Sequence, residues 1–124
     1  MKQVLVVDDE QQMLLALQAA LSKRGFTVTT ATSGRDAMGK LQENFYQAVL
    51  TDVRMPGIDG LKLLQQVKRI SPATPVILLT GHGTIQDAVT ALKQGAYDYL
   101  MKPFSANQLT EVLERAIGRT PSTP

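Results

Sequence analysis

Asp52 ends a short apolar run and is followed by residues that favour a loop. The run Ala48–Leu50 predicts a buried strand, and Met55-Pro56-Gly57 predicts a turn, because proline fixes φ and glycine permits positive φ. Ligands of open parallel α/β sheets bind beyond the carboxyl ends of the strands, which is where this carboxylate is expected. A carboxylate in such a place can attack phosphorus and form an aspartyl phosphate. The alternative is a strand-ending Asp that only caps the next loop.

Polar residues also follow three other apolar runs. Asp8 and Asp9 follow the first run, Thr80 follows the fourth, and Lys102 comes soon after the fifth. Taken singly, each has an ordinary explanation: acids favour helix N-termini, threonine caps helices, and lysine in a loop is usually solvated. In a parallel sheet, however, all of these strand ends lie at one edge. Together with Asp52, they predict one site.

Three carboxylates at one edge repel one another unless a cation neutralises them or their pKa values rise. Mg²⁺, or the similar Mn²⁺, prefers oxygen ligands, and Mg²⁺ keeps several waters and binds phosphate oxygens. Zinc is not expected, because the chain has no Cys and its only His is His82. Around a phosphoryl group on Asp52, Lys102 can pair with one oxygen and Thr80 can donate to another, while Gly81 leaves room.

Five short apolar runs alternate with five amphipathic stretches. Parallel strands need crossover connections, so this alternation predicts an α/β fold, a doubly wound five-stranded parallel sheet with five helices on its two faces. The second and fifth runs contain polar residues, as edge strands can, and the other three are wholly apolar. This gives the flavodoxin-like strand order 2-1-3-4-5. The runs are Val4–Val7, Thr27–Ala31, Ala48–Leu50, Val76–Leu79 and Tyr97–Leu100.

The stretches between the runs carry helix spacing and helix-end signals. Ser33 with Asp36, and Ser105 with Gln108, fit the spacing of a capping box at a helix start. Glycines mark predicted helix ends at Gly25, Gly95 and Gly118. Residues 1–118 are therefore predicted to form one domain, and the Thr/Pro/Ser-rich residues 119–124 to begin a linker to an output domain beyond this sequence.

The composition fits one ordinary soluble domain. The chain has 124 residues, no Cys and a net charge of +2, which excludes disulfides and Cys-based chemistry. The small, dispersed positive charge predicts no direct nucleic-acid contact. No apolar run approaches the ~18 residues of a membrane span, and the N-terminal run is too short for a signal peptide. The expectation is a cytoplasmic protein with no membrane contact.

Four segments resemble the receiver domains of bacterial two-component response regulators, whose fold is CheY-like. They are Val6–Glu10, Leu50–Gly60, Leu78–Gly83 and Tyr97–Phe104. The resemblance covers residues 2 to about 118. From Gly81 to Phe104 the sequence is most similar to regulators of the NtrC type, in which an ATPase domain and a DNA-binding domain follow the receiver.

The resemblance implies a role for each residue of the predicted site. It implies that Asp52 is the phosphoacceptor, that Asp8, Asp9 and the backbone carbonyl of Arg54 join it in binding Mg²⁺, and that Tyr99 is a switch aromatic that responds to Thr80. Thr80 and Lys102 match the hydroxyl and lysine positions of the family. The Lys102–Pro103 bond is expected to be cis, since X–Pro bonds pay only ~0.5–1 kcal/mol for that isomer and a tight turn aims Lys102 at Asp52.

The resulting prediction is a phosphorylation-controlled signalling switch, not a turnover enzyme. Its partners are a sensor histidine kinase and either its own output domain or a second receiver. Homodimerisation or output contact is expected through the helix from about Thr84 to Gln94, the fifth strand and the helix from Ser105. Arg54 and His82, each two residues past a site residue, are predicted to tune the lifetime of the phosphoryl group, although His82 is alternatively a solvated loop residue.

Two other functions share part of this pattern. A phosphatase of the haloacid dehalogenase kind also uses Asp, Mg²⁺, Thr or Ser, and Lys, but it needs its nucleophile after the first strand in an Asp-x-Asp arrangement and a substrate cap. A flavodoxin-like FMN binder needs a Ser/Thr/Gly-rich phosphate loop after the first strand, where this chain has Asp8-Asp9-Glu10. Both are disfavoured.

Overall fold

The computed structural model describes residues 2–81 and 85–118. Strands and helices alternate strictly along this part of the chain. No helix within these ranges has the length and apolar content needed to cross a membrane. The elements are β1 (Lys2–Val7), α1 (Gln11–Ser22), β2 (Phe26–Ala31), α2 (Gly34–Glu43), β3 (Ala48–Asp52), α3 (Gly60–Ile70), β4 (Val76–Thr80), α4 (Ile85–Lys93), β5 (Asp98–Met101) and α5 (Ala106–Gly118).

The five strands form one parallel sheet in the order β2-β1-β3-β4-β5. This confirms the doubly wound, flavodoxin-like (CheY-like) fold, with β2 and β5 at the edges. β4 is buried throughout, whereas β2 is partly exposed, as its polar residues predict. The ladder of β5 begins at Asp98, one residue later than the apolar run, because strand limits follow backbone pairing and not side-chain polarity.

Side chains alternate between the two faces of the sheet, and each face carries its own apolar cluster. On β1, Val4 and Val6 pack with the buried leucines of α1 and α5. Leu5 and Val7 point to the opposite face and pack with α2, α3 and α4. A fully buried Val or Leu side chain contributes ~1.5–3 kcal/mol, so these two clusters hold the helices on the sheet.

Capping interactions fix where three helices begin. Ser33 Oγ accepts a hydrogen bond from the Asp36 N–H (3.0 Å), and the Asp36 carboxylate accepts one from Thr32 instead of completing a capping box. Ser105 and Gln108 do form the reciprocal pair, at 3.0 and 2.8 Å. The third capped start is that of α3, where the Asp59 side chain accepts from the Lys62 N–H at 2.9 Å. These capped helix starts fix where the loops that follow β2, β3 and β5 end.

Candidate functional site

The carboxyl ends of β1 and β3 bring three carboxylates together. The two strands are neighbours with Val7 paired to Thr51, so Asp8 and Asp52 follow side by side. Asp8, Asp9 and Asp52 each offer an oxygen atom, and these three atoms all lie within 4.8 Å of one another. Asp8 is fully buried, Asp9 is exposed, and the Asp52 side chain keeps 15% of its surface exposed. The cluster therefore opens to solvent on the Asp9 side.

Lys102 supplies a positive charge to the cluster. It follows β5, and its Nζ atom lies 3.5 Å from Asp52 Oδ1. The Lys102 N–H donates to the Thr80 carbonyl at 2.7 Å, which holds the start of this loop against the end of β4. The next peptide bond, Lys102–Pro103, has the cis geometry expected from the sequence. An ammonium so placed can pair with a carboxylate or with a phosphoryl oxygen.

Thr80 ends β4, which lies between β3, the strand that ends in Asp52, and β5, the strand that Lys102 follows. Its side chain is buried, and its hydroxyl donates weakly to the Gly81 carbonyl at 3.4 Å. Because side chains alternate, Thr80 lies on the same face of the sheet as Leu78, the register partner of Tyr99. Tyr99 is partly buried and packs on the apolar cluster of that face. The hydroxyl and the aromatic ring therefore share one face of the sheet.

Burial raises the pKa values of two carboxyl groups in the cluster. The pKa of Asp8 rises from 3.8 to about 6, chiefly through desolvation, although a hydrogen bond from the Glu10 backbone lowers it and the Asp52 charge raises it. The pKa of Asp52 is also raised by desolvation, against the opposing effect of Lys102. Ionising both groups thus costs free energy that a cation could offset.

The cluster also meets the requirements of a hard divalent cation. Asp8 Oδ1 accepts a hydrogen bond from the Glu10 N–H at 2.9 Å. Its other oxygen, Oδ2, is buried and has no hydrogen-bond partner among residues 2–81 and 85–118. An unpaired buried acceptor costs ~1–3 kcal/mol, more when charged, so this oxygen is well suited to bind a metal ion. A set of carboxylate oxygens without sulfur suits Mg²⁺ or Mn²⁺.

Two glycines let the loop after Asp52 approach the starts of α2 and α3, a role that the sequence analysis missed. An ideal Cβ at Gly60 would lie 2.4 Å from the Asp52 carbonyl oxygen and 2.9 Å from Val53 Cα. At Gly34, the first residue of α2, a Cβ would lie 2.4 Å from the Ile58 carbonyl oxygen. Since both obstacles are backbone, only glycine fits these two positions. The visible signal was a glycine directly after each N-cap residue, Asp59 and Ser33.

Arg54 and His82 were predicted to tune the lifetime of the phosphoryl group, and the structure describes only Arg54. Arg54 lies after β3, and its Nη2 atom is 3.6 Å from Asp87 Oδ2, a partner that the sequence analysis did not single out. Asp87 belongs to the first turn of α4. His82 lies outside the described residues, as does Thr84, the predicted start of this helix; the described helix begins at Ile85.

Comparison with known proteins identifies the family and finds the same fold in solved structures. The profile of the family "Response regulator receiver domain" matches residues 4–114. The chain is 42% identical over 120 residues to the transcriptional regulatory protein ZraR of Salmonella typhimurium (97% of this chain, 27% of ZraR). It is 43% identical over 115 residues to the DNA-binding transcriptional regulator NtrC of Escherichia coli K12 (93% of this chain, 24% of NtrC).

Solved structures agree. A receiver domain protein from Clostridium thermocellum superposes with a TM-score of 0.93 at 37% identity, covering 96% of both chains. NtrX from Brucella abortus, solved with ADP, superposes with a TM-score of 0.92 at 36% identity, covering 97% of this chain and 28% of NtrX.

The chain spans only about a quarter of the length of its curated relatives, which are regulators of the NtrC type. The family profile nevertheless covers most of the chain and all four segments that carry the site. The chain therefore belongs to the response regulator receiver domain family, and it is a signalling domain of the two-component type related to the receivers of NtrC-type transcriptional regulators.

Proposed function

We propose that Asp52 accepts a phosphoryl group from the phosphohistidine of a sensor kinase, or from a small donor such as acetyl phosphate, in a reaction that requires Mg²⁺ or Mn²⁺. One observation carries the proposal: carboxylate oxygens of Asp8, Asp9 and Asp52 lie within 4.8 Å of one another. The ammonium of Lys102, 3.5 Å from Asp52, then lies where a transferred phosphoryl group would need a cation.

Each residue of the site has its own role in the proposed phosphoryl transfer. A carboxylate oxygen of Asp52 attacks phosphorus, the bond from phosphorus to the donor nitrogen breaks, and its electron pair leaves with the imidazole. Lys102 then pairs with one phosphoryl oxygen, and the Thr80 hydroxyl donates to another. Asp8, Asp9, Asp52 and the Arg54 carbonyl would hold the metal ion, which supplies neutralisation of the phosphoryl charge.

The proposed output is a change of the face formed by α4, β5 and α5. When Thr80 donates to a phosphoryl oxygen, its weak bond to the Gly81 carbonyl is lost and space opens for the partly buried Tyr99 ring to turn inward. Large apolar side chains on this face are already 39% exposed, at Ile85, Leu92 and Met101. We propose that this surface contacts an output domain or a second receiver in a homodimer, as expected for a switch with two states.

The wider setting follows from the same proposal. Residues 1–118 act as the receiver, and residues 119–124, which lie outside the described residues, begin the linker to a transcriptional output domain. The domain works in the cytoplasm without membrane or direct nucleic-acid contact, and it is a switch that modifies itself instead of an enzyme that turns over substrate. Arg54 and His82 tune how long the phosphoryl group persists.

Intact-protein mass spectrometry tests the proposal. Incubation with acetyl phosphate and Mg²⁺ should add one phosphoryl group to the wild type and none to Asp52→Asn, and chelation of the metal should prevent the addition. Asp59→Asn is the matched control, because Asp59 lies in the same loop and Asn is an equally good helix cap. A phosphorylated Asp52→Asn protein would refute the assignment, and sustained hydrolysis of p-nitrophenyl phosphate would favour the phosphatase alternative.

A further inference from the structure

An ion pair joins the loop after Asp52 to the first turn of α4. Arg54 Nη2 lies 3.6 Å from Asp87 Oδ2. The Arg54 side chain is 70% exposed and the Asp87 side chain 38% exposed, so the pair spans the solvent-facing side of the loop and the helix. Asp87 is also suited to its own place, because a carboxylate in the first turn of a helix is stabilised by the helix dipole.

This contact matters because α4 is otherwise held by little apolar surface. Its buried residues are two alanines, Ala88 and Ala91. By contrast, α3 buries two leucines and a valine against the same face of the sheet. Burial free energy scales with apolar area. An ion pair therefore contributes a larger fraction of the free energy that holds α4 on the sheet than it would for α3.

We propose that Asp87 is a positioning residue: it holds the Arg54 side chain against α4 until a phosphoryl group on Asp52 competes for the guanidinium. This inference rests on the proposed function of Asp52. A phosphoryl group replaces one negative charge with about two and adds acceptor oxygens, and guanidinium pairs with phosphate through two parallel hydrogen bonds. Arg54, two residues after Asp52, is placed to exchange one partner for the other. Phosphorylation then breaks the ion pair between the loop after Asp52 and α4.

The affinity for beryllofluoride, a phosphoryl analogue, in the presence of Mg²⁺ measures this competition. Asp87→Asn should bind it about two- to fivefold more tightly than the wild type, the effect of losing one exposed ion pair. Asp87→Glu, which keeps the charge, should bind like the wild type. Glu43→Gln is the matched control for net charge, since Glu43 is exposed and ends α2 at the opposite end from Gly34.

The Arg54→Ala background separates positioning from a general charge effect. In that background Asp87→Asn should change the affinity no more than Glu43→Gln does, and in 1 M salt the difference between wild type and Asp87→Asn should shrink. Equal affinities of wild type and Asp87→Asn at low salt, or the same gain with and without Arg54, would overturn the role of Asp87. If the wild type itself neither binds beryllofluoride nor gains a phosphoryl group, it is the proposed function that fails.

Discussion

Lys102 Nζ lies 3.5 Å from Asp52 Oδ1, although Asp52 ends β3, Lys102 follows β5, and β4 lies between these two strands. Neighbouring strands are ~4.8 Å apart, so the Lys102 side chain must span roughly two strand spacings. Only a long side chain directed along the sheet edge can do so. The positive charge at the site therefore depends on the length of one lysine and on the direction that its loop gives it.

Removing this charge should slow phosphorylation. Lys102→Met keeps most of the length of the side chain and loses the ammonium, so a charge-assisted interaction with the phosphoryl group is lost. Such interactions are worth ~1.5–3 kcal/mol, which corresponds to a rate of mass gain from acetyl phosphate lower by about 10- to 100-fold. Lys62→Met, on the exposed side of α3, should leave the rate unchanged. An unchanged rate in Lys102→Met would exclude the assigned role of the lysine.

Asp8 should make the metal-free fold less stable as the pH rises. Burial raises its pKa from 3.8 to about 6. The pKa of Asp8 is higher in the folded state than in the unfolded state. The contribution of Asp8 to the free energy of unfolding is therefore fully present below about pH 3.8 and is lost as the pH rises through about 6. At 1.36 kcal/mol for each pKa unit, the loss amounts to about 3 kcal/mol. Urea unfolding in the presence of a chelator should show that the free energy of unfolding of the wild type declines across this pH range. The decline should be smaller in Asp8→Asn.

Asp8→Asn should also reduce the stabilisation of the fold by Mg²⁺. At pH 7.5, Mg²⁺ should raise the free energy of unfolding of the wild type by mass action, because it binds the ionised cluster of the folded state. The same Mg²⁺ should stabilise Asp8→Asn much less. Parallel pH curves for the two proteins, together with equal stabilisation by Mg²⁺, would show that Asp8 is not the oxygen ligand inferred from its unpaired Oδ2 atom.

Much of this architecture was predictable from local patterns. The alternation of apolar runs and helix-spaced stretches predicted the sheet order, and the position of Asp52 two residues after the end of an apolar run predicted its place at the sheet edge. Both depend on periodicity and on loop chemistry, which are visible in a short window of sequence. The convergence of Asp8 and Asp52 then follows from the parallel topology, without knowledge of any side-chain contact.

The features that sequence reasoning missed are contacts between distant segments. The Arg54–Asp87 pair depends on where the start of α4 lies relative to the loop after β3, and no spacing rule gives that distance. The tight approach of Gly60 to Asp52 depends on how closely a helix start packs on a strand end. Glycine in a loop usually reports backbone freedom, so its use here to make room for another backbone could not be distinguished beforehand.

Thr80 should transmit the phosphoryl signal to Tyr99 through its hydroxyl. Amide NMR shifts at Tyr99 and in α4 should change when beryllofluoride binds wild-type protein or Thr80→Ser, which retains the hydroxyl. In Thr80→Ala these remote changes should be much smaller, while changes at the Asp52 loop persist. The two residues lie on the same face of adjacent strands, which provides the physical route. Full-size Tyr99 shifts in bound Thr80→Ala would contradict this coupling.

Gly60→Ala should both destabilise the fold and disturb the site. The added Cβ would lie 2.4 Å from the Asp52 carbonyl oxygen and 2.9 Å from Val53 Cα, so the backbone around Asp52 must move. Overpacking of this kind costs ~1–3 kcal/mol of unfolding free energy, and Mg²⁺ affinity should fall as well. Gly39→Ala is the matched control: apart from its chain neighbours and its own helix backbone, no atom of the described residues lies within 4 Å of an ideal Cβ there. Alanine in the middle of α2 should stabilise the helix by ~0.8–1.0 kcal/mol. If Gly60→Ala unfolds at the same urea concentration as the wild type and binds Mg²⁺ equally well, the start of α3 does not position Asp52.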